Sequence, residues 1–161
     1  MFPAVVRSYL TTGLKGTPDV LDRLLAALSR DDPRWDFHPD PERFSLREVV
    51  AHLADWEPIH IMRIERIRDE NEPDLPSIDE NQLAAENDYA YQNAQESLAR
   101  FRSGRSQLMH VVETLPEAAW GKFGIRQYVG RVSIDAMLAL ILGHDGYHTQ
   151  QVAQWLDLAS K

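Results

Sequence analysis

The sequence predicts an all-α fold, a four-helix bundle with a long connection between its second and third helices. Four segments carry apolar residues at helical spacing, local start and stop signals bracket them, and all connections but one are short. With 161 residues the chain reads as a single domain spanning 1–161. A domain of that size buries about 68–70% of the surface its unfolded chain exposes. It needs neither metal nor disulfide to hold its fold, so a metal, if bound, is functional rather than structural.

Residues 1–16 end in Thr11-Thr12-Gly13-Leu14-Lys15-Gly16, where two glycines disfavour a continuous helix. Thr17-Pro18-Asp19 then reads as N-cap, Pro at the first helical position and an acid in the first turn. Val20, Leu21, Leu24, Leu25 and Leu28 make one stripe, so the first helix is expected over 18–30. Pro33, Pro39 and Pro41 mark a loop pinned by Trp35 and Phe37. The second helix starts at Phe44-Ser45-Leu46-Arg47-Glu48-Val49, with Ser45 and Glu48 as a capping box and Phe44 and Val49 as a hydrophobic staple. It runs to Asn71, with a kink expected at Pro58, whose missing N–H cannot reach the Ala54 carbonyl.

Residues 72–86, with Pro73, Pro76 and many acids, form the long connection, with room for a short helical turn from Ser77 or Asp79. A connection that long tends to be functional or to cross over something. The third helix is expected over 88–114, carrying Tyr91, Leu98, Phe101, Leu108 and Val112, with Ser103-Gly104 weakening its middle. Residues 117–131 make an irregular or hairpin-like link. The fourth helix is expected from Ile134 to Leu158, with Ser133 as N-cap and Val132 opposite Met137 as staple.

Composition removes several function classes. Seventeen Lys and Arg against twenty-five Asp and Glu give a net charge of −8, a poor balance for holding a polyanionic backbone, so no nucleic-acid partner is expected. There is no run of about 18 apolar residues and no signal-like N-terminus, so neither a membrane partner nor export is expected; the cytoplasm is the default. With no cysteine, a thiolate metal site and a cysteine nucleophile are both excluded.

The chemistry concentrates in Gly143-His144-Asp145-Gly146-Tyr147-His148-Thr149-Gln150-Gln151. His144 and His148 stand one helical turn apart, their Cβ atoms about 5–6 Å from each other. They share a face with Ile134, Met137, Ile141 and Trp155, so they look inward. There they either hydrogen-bond to neighbouring side chains or hold a cation. Gly146 inside the helix costs about 1 kcal/mol relative to Ala and suggests something close to the backbone. His52, on a face with Val49, Trp56 and Ile59, also points inward; taken alone such a histidine is more often hydrogen-bonded than metal-bound. His60 lies at the edge of that face and ranks lower. Asp55, one turn from His52, is either an orienting or basic group or a surface carboxylate. Gln151, Asp145 and Tyr147 are further candidates for the surroundings of the site. Glu57 projects away from His52 and is assigned no ligand role.

Together, the segments Phe44 to Glu57 and Gly143 to Gln151 resemble the DinB-like superfamily of bacterial four-helix proteins. The resemblance extends from Thr17-Pro18 to Trp155 and includes Arg63 and the stretch from Trp120 to Gly130. It implies a divalent metal held by His52, His144 and His148, and often a homodimer, for which Trp56, Ile64 and Leu156 are candidate surplus apolar residues. It further implies a small-molecule substrate, with thiol-dependent transferases using a low-molecular-weight thiol, or metal-dependent hydrolases, as the reaction types. Three imidazoles leave a position open on zinc, nickel or iron, the mark of a catalytic site. The competing expectation is a non-catalytic metal-binding or stress-response protein.

Overall fold

The computed structural model describes residues 1–161. Four long helices, α1 (Ala4–Leu25), α2 (Leu46–Asp69), α4 (Ala94–Glu113) and α5 (Ile134–Leu158), form a four-helix bundle; α3 (Glu80–Glu86) is a short helix in the long connection. α2 packs against α4 and α5, and α1 packs against the same two, so the consecutive helices α1 and α2 lie on a diagonal. A small sheet closes one end. β2 (Phe123–Arg126) and β3 (Gly130–Ser133) form an antiparallel hairpin, and β1 (Asp74–Leu75) joins β2 in parallel register, Leu75 opposite Arg126.

The capping box of α2 forms as its sequence requires: Ser45 N–H donates to Glu48 Oε2 at 2.8 Å and Glu48 N–H to Ser45 Oγ at 3.3 Å. The helix carries through Pro58 unbroken. The first helix differs from expectation. It begins at Ala4, runs through both glycines and Pro18, and stops at Leu25 rather than residue 30. Thr17 does not cap; its hydroxyl turns back to the Gly13 carbonyl at 3.3 Å. Pro18 is tolerated because the carbonyl it leaves free, that of Leu14, accepts from Arg105 Nη1 at 2.9 Å. A tertiary hydrogen bond thus replaces the missing helical one, and no local pattern announces it.

The third long helix also starts later than expected. Tyr89–Tyr91 form a 3-10 turn, and Asn93 caps α4 by accepting from Gln95 N–H and Glu96 N–H. Tyr91 consequently lies outside the helix and is exposed. Asp79 caps α3, accepting from Asn81 and Gln82. Ser133 stands at the N-cap of α5 without bonding the helix, its hydroxyl taken instead by Asp135.

The core is divided. One apolar cluster, including Leu14, Ile64, Leu108, Met137 and Ile141, fills the hairpin end of the bundle; a second, including Leu21, Val49, Leu53, Phe101 and Trp155, fills the other. Trp56 and Ile64 are buried, so they are not surplus apolar surface left over for a dimer. Between the clusters the inward positions of α2, α4 and α5 are polar: Glu57, His60, Arg105, Asp145, His148 and Gln151 are all buried. A slab of that kind carries a large desolvation cost, so the partners of each group decide its role.

Candidate metal centre

Two constellations share the slab. In the first, Arg105 reaches from α4 between α2 and α5. Its Nη2 donates to Glu57 Oε1 at 2.6 Å and to Asp145 Oδ1 at 3.0 Å, its Nε to Glu57 Oε1 at 3.1 Å, and its Nη1 to Asp145 Oδ2 at 2.5 Å. All three side chains are at most 2% exposed. Burial opposes the Arg105 charge, but the hydrogen bonds and charges of Asp145 and Glu57 outweigh it and its pKa is raised. Gly104 makes this possible: a Cβ there would lie 2.6 Å from Glu57 Cβ. Sequence reasoning missed Arg105, although its spacing from Phe101 and Leu108 places it on the inward stripe of α4. Asp145 commits its hydrogen bonds to this network, while its charge still reaches His148.

In the second, His52 of α2 meets His144 and His148 of α5, with ligand-capable atoms all within 4.8 Å of one another. His52 Nε2 and His144 Nε2 face each other at 2.8 Å. Two imidazole nitrogens at that distance share either one proton or one cation. Their outer nitrogens, Nδ1 of His52 and of His144, are buried without a hydrogen-bond partner. His148 is different. Gln151 Nε2 donates to the Phe44 carbonyl at 2.7 Å, which leaves Gln151 Oε1 to accept from His148 Nδ1 at 3.1 Å. That bond puts the proton on Nδ1 and leaves the Nε2 lone pair free for a cation.

Electrostatics keeps the rings neutral. Burial, then His148, His144 and His60, push His52 down to about 2. Burial and His144 take His148 to about 3 against the pull of Gln151 and Asp145, and burial with Arg105 and Arg126 takes His144 to about 4. Neutral, convergent imidazoles are the donor set that zinc, nickel or iron accepts. The three histidines can therefore hold a metal ion.

The remaining candidates fall elsewhere. Asp55 turns toward α4, where its carboxylate accepts from Arg100 Nη1 and Asn87 Nδ2, each at 2.7 Å. Tyr147 is half-exposed and stacks edge-on against His148. Gly146 has nothing near the place a Cβ would occupy, so close packing is not its reason. His60 is buried beside Trp56 and His144 with its Nδ1 unpartnered.

His144 is also the wall between two cavities. One, of about 150 Å³, includes Arg43, Phe44, Tyr147, His148 and Gln151; the other, of about 240 Å³, includes Trp56, His60, Arg126, Met137 and Ile141. Glu80, in the first turn of α3, lines both. The long connection thus crosses over the histidines, held there by Arg63 Nη2 donating to the Pro76 carbonyl at 2.8 Å and by the pairing of β1 with β2.

The DinB superfamily profile matches residues 14–152. The chain belongs to the DinB superfamily. Among solved structures, YfiT from Bacillus subtilis superposes on 99% of this chain and 91% of its own with a TM-score of 0.89, at 17% identity. YfiT is described as a probable metal-dependent hydrolase with an unusual four-helix bundle topology. At that identity the likeness is one of fold. No curated protein matches the sequence. No helix in this DinB superfamily member is long and apolar enough to cross a membrane.

Proposed function

We propose that the protein is a metal-dependent enzyme acting on a small molecule, with His52, His144 and His148 holding one divalent cation and hydrolysis as the reaction read first. The observation that supports it is the convergence of three neutral imidazoles at the wall between two open cavities. Bound by three imidazoles, zinc, nickel or iron supplies Lewis acidity and an open position at which a water or a thiol is acidified near neutral pH. The chain's own residues supply the rest. Gln151 fixes the His148 tautomer, while Phe44, Trp56 and Tyr89 close around the His52 ring and keep water from that side. His144, less buried than His52, faces the substrate side. Glu80 lines both cavities and is the carboxylate offered as a proton acceptor there.

A thiol-dependent transferase is the second reading, and since the chain has no cysteine its thiol is a separate low-molecular-weight molecule. A homodimer acting in the cytoplasm completes the proposal. Its support is the family pattern together with a shallow groove of small residues between α1 and α5, lined by Gly13, Gly16, Gly146 and Ala153. Sedimentation at micromolar concentration should then give twice 18.4 kDa. The reaction is tested by assaying zinc-, nickel- and iron-loaded protein on ester and amide panels and on electrophiles with several thiols. Turnover lost in His144→Ala supports the enzyme; metal uptake without turnover on any panel favours the non-catalytic metal-binding or stress-response protein.

A further inference from the structure

The cavity on the hairpin side of His144 has a chemistry the metal reading does not use. Its walls are half apolar, with Trp56, Met137, Leu140 and Ile141, and half polar, with His60 and Arg126 facing the single acid Glu80. His60 is 5% exposed, its Nδ1 has no partner, and its Nε2 makes no hydrogen bond within the protein. Behind Trp56 lies Arg63, 1% exposed, its guanidinium 5.3 Å from the indole centroid and its Nε and Nη1 unpartnered. Neither Arg63 nor Arg126 comes within ion-pair distance of any carboxylate. Burial and then Arg126 pull the Arg63 pKa down to about 10, the sign of two guanidiniums close together without a counter-ion. The contrast with Arg105, which is equally buried but holds two carboxylates, is direct.

We propose that this cavity is the subsite for a small organic carboxylate with an apolar body, its anionic group held by Arg126 and His60 in the field of Arg63, and its body lying along Trp56, Met137 and Ile141. The polar end satisfies the unpartnered donors, whose burial without a partner is costly, and charge-assisted bonds to a guanidinium are the strong ones. The apolar walls argue against a strongly hydrated inorganic anion, which would forfeit its water against Met137 and Ile141. The inference rests on the proposed function in one respect only: it places the reacting end of that carboxylate at His144, the wall of the cavity.

The test is the indole N–H resonance of Trp56 in the full-length metal-free protein, titrated near neutral pH with hexanoate, hexanol and inorganic phosphate. Hexanoate should shift it saturably, with hexanol weaker by about tenfold or more, the loss expected for a hydrogen bond to a charged group. Arg126→Gln should weaken hexanoate by a similar factor and Arg126→Lys should recover part of it; Arg126 is not fully buried, so these variants do not threaten the fold. An equal response to hexanol, or an undiminished response in Arg126→Gln, overturns the subsite, and binding of phosphate alone overturns its apolar half. If the wild-type protein takes up no metal yet binds hexanoate through Arg126, the metal enzyme falls and the subsite stands.

Discussion

The two halves of the polar slab are built from neighbouring residues, Glu57 five residues after His52 and Asp145 next to His144, and they differ in one respect. The Arg105 network is closed: one guanidinium supplies donors to both carboxylates and to the carbonyl that Pro18 left free. The histidine cluster is open: two of its outer nitrogens have no partner, two inner ones face each other, and cavities reach it from two sides. Buried polar groups that satisfy one another hold helices in register, whereas buried polar groups that lack partners mark the place where something else is meant to bind. The lesson is that burial alone does not separate structure from function in this bundle; the hydrogen-bond ledger does.

The largest effect should come from breaking the closed half. Arg105→Met strands two buried carboxylates and should cost about 3–5 kcal/mol in urea unfolding, the penalty for removing one partner of a buried ion pair. Replacing Glu57 and Asp145 with leucine in the same chain should restore much of that stability. If Arg105→Met costs no more than a surface substitution, the network is not what joins α2, α4 and α5.

A smaller effect should follow at the open half. Gln151→Leu removes the bond that sets the His148 tautomer and should weaken zinc or nickel binding about 10–100-fold, read by competition with a chelating dye. Folding of the metal-free variant should change little by comparison. Equal affinities in Gln151→Leu and wild type would show that His148 needs no such orientation.

Much of this was legible in the sequence, and most of what was not depended on partners distant in the chain. The capping box at Ser45 and the inward pair His144 and His148 are local or periodic signals, and the structure shows both; the length of the 72–86 connection hinted that it crosses over something, and it lies over the histidines. The long α1 was missed because Thr17-Pro18 carries every local mark of a helix start, while the residue that lets the helix pass through Pro18 is Arg105, distant in sequence. Asp55 was singled out for its spacing from His52, but Arg100 and Asn87 claim its carboxylate from other elements. Tyr91 was assigned to the third helix because its stripe continues that far back, and Asn93 capping at the next turn overrides it. For α1 and Asp55 a tertiary partner outbids the local pattern, whereas at Tyr91 one local signal, the Asn93 cap, overrides another.

The pH dependence has a definite sign. The folded-state pKa values of His52, His148 and His144, about 2, 3 and 4, lie below the unfolded value of 6.5. Below about 6.5 the unfolded chain binds more protons than the native one, so the stability of chelator-treated protein should be level above neutrality and fall as pH drops from about 6.5 toward 4. Added zinc or nickel should raise the Tm near neutrality by mass action, and that increment should shrink by about pH 5 as protons compete for the ligands. A Tm of the metal-free protein that rises as pH falls through this window would contradict the neutral, buried state of the three rings. Loss of the helical signal on chelation at neutral pH would make the metal structural, against a core that is already complete without it.

The most direct test of the open half is calorimetric titration of zinc or nickel into the metal-free protein beside His52→Ala, His144→Ala and His148→Ala, with helicity followed in parallel. The account predicts one equivalent bound by the wild type, affinity lower by about a hundredfold or more in each variant, a loss of about 2.7 kcal/mol, and helicity retained in all four proteins. Unchanged stoichiometry and affinity in His144→Ala would contradict it.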